Sequence, residues 1–109
     1  MEVHNVLGPG FLESIYKNAL LCELSLRGLS TQTEVEARIC YKNSAIGRHR
    51  LDIVVENAVI VELKAVTSLN DLHTAQALSY LTATNLELAL ILNFGVSSLV
   101  WKRLIKSRG

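Results

Sequence analysis

The sequence predicts an α/β fold in which two helices flank a central mixed sheet. Two short, almost wholly apolar runs, at residues 59–66 and 86–93, are typical of strands buried on both faces. Two longer segments with helical periodicity lie at residues 9–27 and about 70–84. The predicted order is helix, three strands as a meander, helix, strand and strand. This order contains an αβββαβ core followed by one further strand, within one domain that spans residues 1–109.

The first helix is predicted over residues 9–27, because proline is tolerated in a first turn and Gly28 can end the helix. Residues 1–7 have a partly helical pattern that the Gly8-Pro9-Gly10 segment cuts off. Apolar residues at helical spacing predict the buried face of the long helix. They are Phe11, Ile15, Ala19, Cys22 and Leu26.

Three strands are expected to follow as a meander, at residues 33–41, 51–55 and 59–66. The last two are joined by Glu56-Asn57-Ala58. A three-residue loop with Asn57 near the left-handed conformation would place Asp52 and Glu62 on one face, whereas a two-residue loop would place them on opposite faces. Lys64 shares the face of Glu62, because residues two apart in a strand point the same way.

The second helix is predicted from a cap at Ser68 or Asn70 to about Thr84, with Asn85 as a left-handed stop. Its predicted core stripe consists of Leu72, Ala75, Leu78 and Leu81. A polar stripe of His73, Gln76 and Tyr80 is equally typical of a solvated face. Strands at residues 86–93 and 98–105 complete the sheet.

Charged residues inside apolar strands are costly unless they are paired or functional. One interpretation is a partly buried ion pair between Glu62 and Lys64. The other is a site in which Asp52, Glu62 and Lys64 converge, with Arg48 and Arg50 further along the same face. Two carboxylates beside a lysine suit a hard divalent cation, Mg²⁺ or Mn²⁺.

The composition is that of a globular protein, since half of the residues are hydrophobic and 19% are charged. No apolar run reaches the roughly 20 residues of a membrane span, and the first residues do not resemble a signal peptide. A cytoplasmic protein is therefore expected. Cys22 and Cys40 are predicted to be buried free thiols rather than a disulfide. The net charge of +1 does not by itself indicate a nucleic-acid partner.

Two motifs resemble those of a known family. Asp52 followed by Glu62-Leu63-Lys64 resembles the Asp…Glu-x-Lys signature of the PD-(D/E)XK nuclease superfamily. The segment Gly10-Phe-Leu-Glu13-Ser-Ile-Tyr16 is similar to the motif of its GxxExxY branch. Further matches are Gly8-Pro9-Gly10, Gln76 with Tyr80, Asn93-Phe94 and Lys102-Arg103, so the resemblance covers nearly the whole chain.

The resemblance implies a restriction-endonuclease-like core and a metal-dependent nuclease that hydrolyses phosphodiester bonds, with Mg (or Mn) as cofactor and DNA or RNA as partner. The implied metal ligands are Asp52 and Glu62. The implied catalytic residues are Lys64, Glu13 and Gln76; the site-lining residues are Tyr16 and Tyr80. Arg48, Arg50, Lys102 and Arg103 are expected to hold the nucleic-acid backbone. From the residues alone, Glu13 is explained as well by a favourable interaction with the helix dipole.

Two other functions remain compatible with the sequence. The chain could be a nucleic-acid-binding or regulatory module that keeps a nuclease fold without appreciable turnover. It could also be a structural oligomer in which Glu62 and Lys64 are merely paired. A homodimer is plausible because so small a chain encloses little of a duplex.

Overall fold

The computed structural model describes residues 2–97 and 99–106. The elements are α1 (Glu2–Leu7), α2 (Glu13–Leu26), β1 (Thr31–Tyr41), β2 (Ser44–Val55), β3 (Val59–Lys64), α3 (Asp71–Thr84), β4 (Leu88–Asn93) and β5 (Val100–Ile105). The strands form one sheet in the order β1-β2-β3-β4-β5, in which β3 and β4 are parallel and all other neighbours are antiparallel. The predicted α/β fold class is confirmed, and the architecture is consistent with a restriction-endonuclease-like core.

The sheet separates two hydrophobic clusters. On the side that we call the α3 face, Ala77, Tyr80 and Leu81 of α3 pack against the sheet. On the other side, the α2 face, the helical contribution comes from Val3 of α1 and from Tyr16 and Leu20 of α2. Along β3 the side chains alternate, so that Ile60 belongs to the α3 face and Val61 to the α2 face.

The hairpin between β2 and β3 has the predicted odd loop. Val55 pairs with Val59 across three loop residues, and Glu56 and Asn57 have φ values of 54° and 53°. Asn57 is therefore left-handed, as expected. The last pair of this ladder, Ile53 with Val61, brings Asp52 next to Glu62, the residues that follow on the two strands.

The predicted core stripes of both long helices are largely wrong. In α2 the buried residues are Tyr16 and Leu20, whereas Phe11, which precedes the helix, and Leu26 are 46% and 77% exposed. Similarly, Ala77, Tyr80 and Leu81 are buried in α3, and the predicted Leu72 and Leu78 are exposed. Both helices carry apolar residues around much of their circumference, so periodicity does not single out one face. Cys22 and Cys40 are exposed rather than buried.

The long first helix begins at Glu13, four residues later than predicted, because Gly8 and Gly10 adopt left-handed conformations with φ values of 69° and 107°. The strand predicted over residues 98–105 begins at Val100, and Ser98 lies outside the described residues. None of the helices in the described part of the chain has the length and apolar content that a membrane span requires.

Candidate active site

Asp52 and Glu62 lie close together at the point where the pairing of β2 with β3 ends. The ladder between these strands ends at the pair of Ile53 and Val61. Directly beyond it, Asp52 Oδ2 accepts a hydrogen bond of 3.0 Å from the backbone N–H of Leu63. The backbone N–H of Asp52 in turn donates to Glu62 Oε1 over 3.5 Å. Each carboxylate therefore bonds to the strand that carries the other one.

Asp52 interrupts the regular alternation of β2. Leu51 and Ile53 are both fully buried, yet Leu51 packs on the α3 face and Ile53 on the α2 face. In β1 the residue across from Asp52 is Glu34, which has a φ of 53°, and these two residues do not form a registered pair. A regular strand would place Leu51 and Ile53 on one face. The backbone irregularity in both strands thus reorients β2 at Asp52.

This irregularity corrects the prediction that Arg48 and Arg50 share a face with the acids. His49 faces α3 instead, where its ring stacks on Tyr80 with a centroid distance of 4.1 Å. Arg50 helps to lower the pKa of Glu34, after the larger effects of the hydrogen bond and charge of Lys17 in α2. Arg48 and Arg50 therefore lie on the α2 side of β2, and His49 takes the place predicted for them.

Glu62 is in an unfavourable electrostatic position. It is 6% exposed, and burial, followed by the charge of Asp52, raises its pKa to about 8. The nearby Lys64 ammonium lowers this pKa but does not compensate. Burial and then the charges of Glu62 and Asp52 also raise the pKa of Tyr80 to about 12. Tyr80 thus lies close enough to Glu62 and Asp52 for their charges to act on its hydroxyl.

The two carboxylates fit a hard divalent cation, whose charge would relieve their repulsion. Among the residues that the structure describes, no group of three His, Cys, Asp or Glu side chains is arranged to hold a metal ion. Glu13, exposed in the first turn of α2, therefore does not complete a three-ligand set with Asp52 and Glu62. A set of two protein carboxylates is what Mg²⁺ commonly uses, with waters and substrate phosphates as its other ligands.

Tyr16 does not line this site. It is fully buried in the cluster on the α2 face, opposite Glu62, and its ring stacks on Phe94 with a centroid distance of 4.6 Å. Its hydroxyl donates to the carbonyl of Gly8 over 2.6 Å and accepts from the N–H of Phe11 over 3.1 Å. Tyr16 thus fastens the glycine loop that leads into α2.

The predicted basic pair of β5 is divided between the two faces of the sheet. Lys102 pairs with Ile91, which itself pairs with Glu62, so that Lys102 and Glu62 share the α3 face. Lys102 Nζ donates to Thr74 Oγ1 of α3 over 3.0 Å. Arg103 follows Lys102 in the strand and points to the α2 face.

Gln76 is exposed on α3, one turn before Tyr80. A residue that strand periodicity did not place at the site is His49, which stacks against Tyr80 beside the acids. Its position depends on the irregularity at Asp52, for which strand periodicity gives no signal.

A polar clamp fixes the chain immediately after Lys64. Buried Asn93 accepts from the N–H groups of Val66 and Gly95 over 3.1 and 3.0 Å and donates to the carbonyl of Val66 over 3.0 Å. The N–H of Phe94 donates to the carbonyl of Lys64 over 2.8 Å. The end of β4 thereby holds the end of β3, which carries Glu62 and Lys64.

Gly95→Ala tests this clamp. A Cβ at Gly95 would lie 2.5 Å from both the backbone N and O of Val66, so the clamp would have to open. We expect a loss of about 1–3 kcal/mol in the free energy of unfolding. Gly47→Ala is the matched control, because its Cβ would enter open space. Denaturant unfolding of both variants checks this, and equal midpoints would contradict the clamp.

Comparison with known proteins agrees with this architecture. The family model described as the PD-(D/E)XK nuclease superfamily matches residues 1–104. A solved structure entitled "Crystal structure of SSO0001" superposes with a TM-score of 0.67 at 18% sequence identity. The match covers 88% of this chain and 50% of that one, so this chain corresponds to about half of its length and the likeness concerns the fold. None of the curated proteins compared with the chain matches it. By the extent of the family match, the chain belongs to the PD-(D/E)XK nuclease superfamily.

Proposed function

We propose that this protein is a Mg²⁺- or Mn²⁺-dependent nuclease of the GxxExxY branch, which hydrolyses phosphodiester bonds in nucleic acid. The observation that carries the proposal is the contact between Asp52 and Glu62 at the point where β2 and β3 separate, with Lys64 two residues further along β3. A raised pKa at a buried acid next to another acid is typical of functional sites. The proposal is also supported by membership of the PD-(D/E)XK nuclease superfamily, which implies a nuclease-like fold.

Each residue of the site has a distinct role in this mechanism. Asp52 and Glu62 would hold the cation, which when bound supplies Lewis-acid chemistry and charge neutralisation at a phosphate. Lys64 would orient the attacking water and stabilise the charge that develops on the phosphate oxygens. The hydrogen bond from Leu63 to Asp52 fixes that carboxylate before substrate arrives. Tyr80 and His49 close the site on the side of α3.

Lys102 is the basic residue of β5 that serves this site in our proposal. It lies on the same face as Glu62 and is anchored to α3 through Thr74. We assign it a contact with a phosphate beside the scissile one. Exposed Gln76 and Glu13 remain candidates for orienting water or substrate.

The test is calorimetric titration of Mg²⁺ and Mn²⁺ into the wild type and Glu62→Ala, followed by incubation of both proteins with mixed DNA and RNA. We expect the wild type to bind metal and cleave nucleic acid, and Glu62→Ala to do neither. The Glu36→Ala variant is a control, because it removes an exposed carboxylate from β1. Cleavage by Glu62→Ala at the wild-type rate would refute the assignment.

The second candidate is a nucleic-acid-binding module without turnover. It is favoured by one observation: Glu13, the third acid that the family resemblance assigns to the site, does not join Asp52 and Glu62 in the described structure. This alternative predicts salt-dependent binding of nucleic acid with no cleavage at millimolar Mg²⁺ or Mn²⁺.

A further inference from the structure

Strand β5 forms one edge of the sheet, and this edge is regular. Within the described residues, β5 pairs with β4 alone. Its register with β4 runs without a shift from Val100 to Ile105. The opposite edge is interrupted, because β1 contains the left-handed Glu34 and a register shift between Ile39 and Cys40. Irregularities of this kind protect an edge from pairing with another strand, and the register of β5 shows none.

One contact shows which backbone groups of β5 point outward. The N–H of Lys106 donates to the carbonyl of Glu87 over 2.8 Å, directly beyond the last registered pair, which contains Ile105. In an antiparallel ladder, hydrogen-bonded pairs alternate with pairs that are not hydrogen-bonded. Ile105, Arg103 and Trp101 therefore direct their N–H and C=O groups away from β4. The outer edge of β5 thus has the donors and acceptors that a sixth strand needs.

The side chains of the same three residues form an uncovered surface on the α2 face. Trp101 and Ile105 are each 60% exposed, and Arg103 is exposed between them. The neighbouring Leu88 and Leu90 of β4 are only half-buried, because α2 packs mainly over β1 and β3. A hollow of about 230 Å³, lined by leucines and valines, lies between α2 and β4. The edge is therefore apolar on this face, with one cation in its middle.

The charge of this part of the chain indicates the kind of partner. From Leu88 to Gly109 the sequence has no acidic residue, although the overall charge is only +1. Among the described residues, Arg103 forms no ion pair. A strand that covers Arg103 removes water from its guanidinium group, and a carboxylate is the group that best compensates for this loss. Because directly opposite residues share a face, the matching strand has an acid opposite Arg103 and apolar side chains opposite Trp101 and Ile105.

A second copy of β5 fits this edge less well. In an antiparallel pair that keeps both α2 faces on one side of the sheet, the registers with the greatest overlap are centred on Lys102 or on Arg103. The central residue would then lie opposite its own counterpart. Like charges directly opposite each other destabilise a sheet. The edge therefore disfavours self-association and favours a strand of opposite charge.

We propose that the outer edge of β5 binds an extended segment of another protein, which joins the sheet as a sixth strand. The segment alternates, with apolar residues beside Trp101 and Ile105 and an acidic residue at Arg103. Main-chain hydrogen bonds supply affinity in this mode of recognition, and the alternate side chains supply specificity. The inference is independent of the nuclease function, because the three side chains lie on the face opposite Glu62.

The test uses a capped peptide of sequence TVTETVT and the fluorescence of Trp101, the single tryptophan of the chain. The peptide is palindromic, so either strand direction places its glutamate opposite Arg103 and its valines opposite Trp101 and Ile105. We expect saturable binding with a blue shift of the emission, because the added strand covers the indole. Hydrogen exchange measured by NMR should slow at the N–H groups of the same three residues. An unchanged spectrum at millimolar peptide would overturn the proposal.

Two altered peptides are matched controls that leave the protein unchanged. TVTKTVT places a lysine opposite Arg103 and should bind at least about tenfold more weakly, because like charges then meet. N-methylation of the glutamate nitrogen removes one ladder hydrogen bond and should weaken binding of TVTETVT by at least about fivefold. Equal affinity for TVTKTVT would refute the charge assignment. Unchanged affinity after N-methylation would refute the addition of a strand.

The Arg103→Glu variant should reverse the preference between the two peptides. It should bind TVTKTVT more tightly than TVTETVT, because the charge pair is restored with opposite sign. Lys102→Glu is the matched control, since it reverses the adjacent charge on the other face of the strand and should keep the preference for TVTETVT. The same preference in both variants would refute a specific contact at Arg103.

Two other occupants of the edge have different signatures. If the emission of the protein alone shifts to the blue as its concentration rises, and sedimentation gives the mass of a dimer, the occupant is a second copy. If a DNA or RNA oligonucleotide shifts the emission and the peptide does not, the occupant is nucleic acid. Either result would overturn the proposal.

Discussion

Lys64→Ala is expected to lower the rate of metal-dependent cleavage of nucleic acid by about 100- to 1000-fold, the usual effect of removing one group that stabilises transition-state charge. Lys64 lies at the end of β3, two residues from Glu62 on the same face, and is held by the hydrogen bond from Phe94 N–H to its carbonyl. Since Lys64 is not a proposed ligand, binding of Mn²⁺ should persist. Single-turnover cleavage at saturating Mg²⁺ measures the rate, and calorimetry on the same variant measures the binding of Mn²⁺.

Lys102→Ala is the matched control for this experiment. It removes a lysine from the same face, two strands away from Glu62. Removing a phosphate contact should weaken substrate binding and reduce its salt dependence while the rate at saturation stays near wild type. Full-rate cleavage by Lys64→Ala would remove this lysine from the mechanism.

The part of the site that could be predicted depends on short-range register. Asp52 and Glu62 are joined by a hairpin, so the parity of one loop decides whether they share a face. The β-branched runs in both strands and Asn57 in the loop are local signals, and they agree with one another. For the same reason the strand order β1-β2-β3 follows from a meander of short connections.

The part that could not be predicted depends on contacts between distant residues. The reorientation of β2 at Asp52 accompanies a left-handed Glu34 in the neighbouring strand. Glutamate has no particular preference for that conformation, so the sequence contains no signal for it. As a result His49, rather than Arg48 or Arg50, stacks on Tyr80 beside the acids.

Similarity to a family motif locates a residue without giving its role. Tyr16 was expected to line the site, and it instead links the Gly8 carbonyl and the Phe11 N–H on the α2 face. Tyr16 therefore holds the loop ahead of Glu13 through backbone groups on either side of Gly10. Buried aromatic residues with a satisfied hydroxyl are common in cores.

The strongest pH effect is expected at Glu62. Its pKa is about 8 in the folded protein and near 4.5 when unfolded, so the folded state binds more protons between these values. The free energy of unfolding should therefore fall as pH rises from about 4.5 to 8 and level off above. The loss amounts to several kcal/mol, since a tenfold change in proton affinity corresponds to about 1.4 kcal/mol.

Glu62→Gln removes this titration while keeping the shape of the side chain. Without metal, the variant should gain stability relative to wild type as pH rises from 5 to 9, which denaturant unfolding at both values measures. The difference in free energy of unfolding between wild type and Glu62→Gln reports the titration of Glu62, because both proteins share the other titrating groups. Identical pH profiles would mean that Glu62 is ionised in the folded state at all these values.

A divalent cation should reverse the loss of stability that accompanies ionisation of Glu62, because the cation favours the ionised form of this carboxylate. Below about pH 8 the cation must displace a proton from Glu62, so the affinity for Mn²⁺ should fall by up to about tenfold for each unit by which the pH decreases. Above pH 8 the affinity should no longer change with pH. Calorimetry in two buffers of different ionisation enthalpy would detect the released proton at pH 7. An affinity that does not change between pH 6 and 9 would show that the cation does not bind at Glu62, and the burial of this carboxylate would then need another explanation.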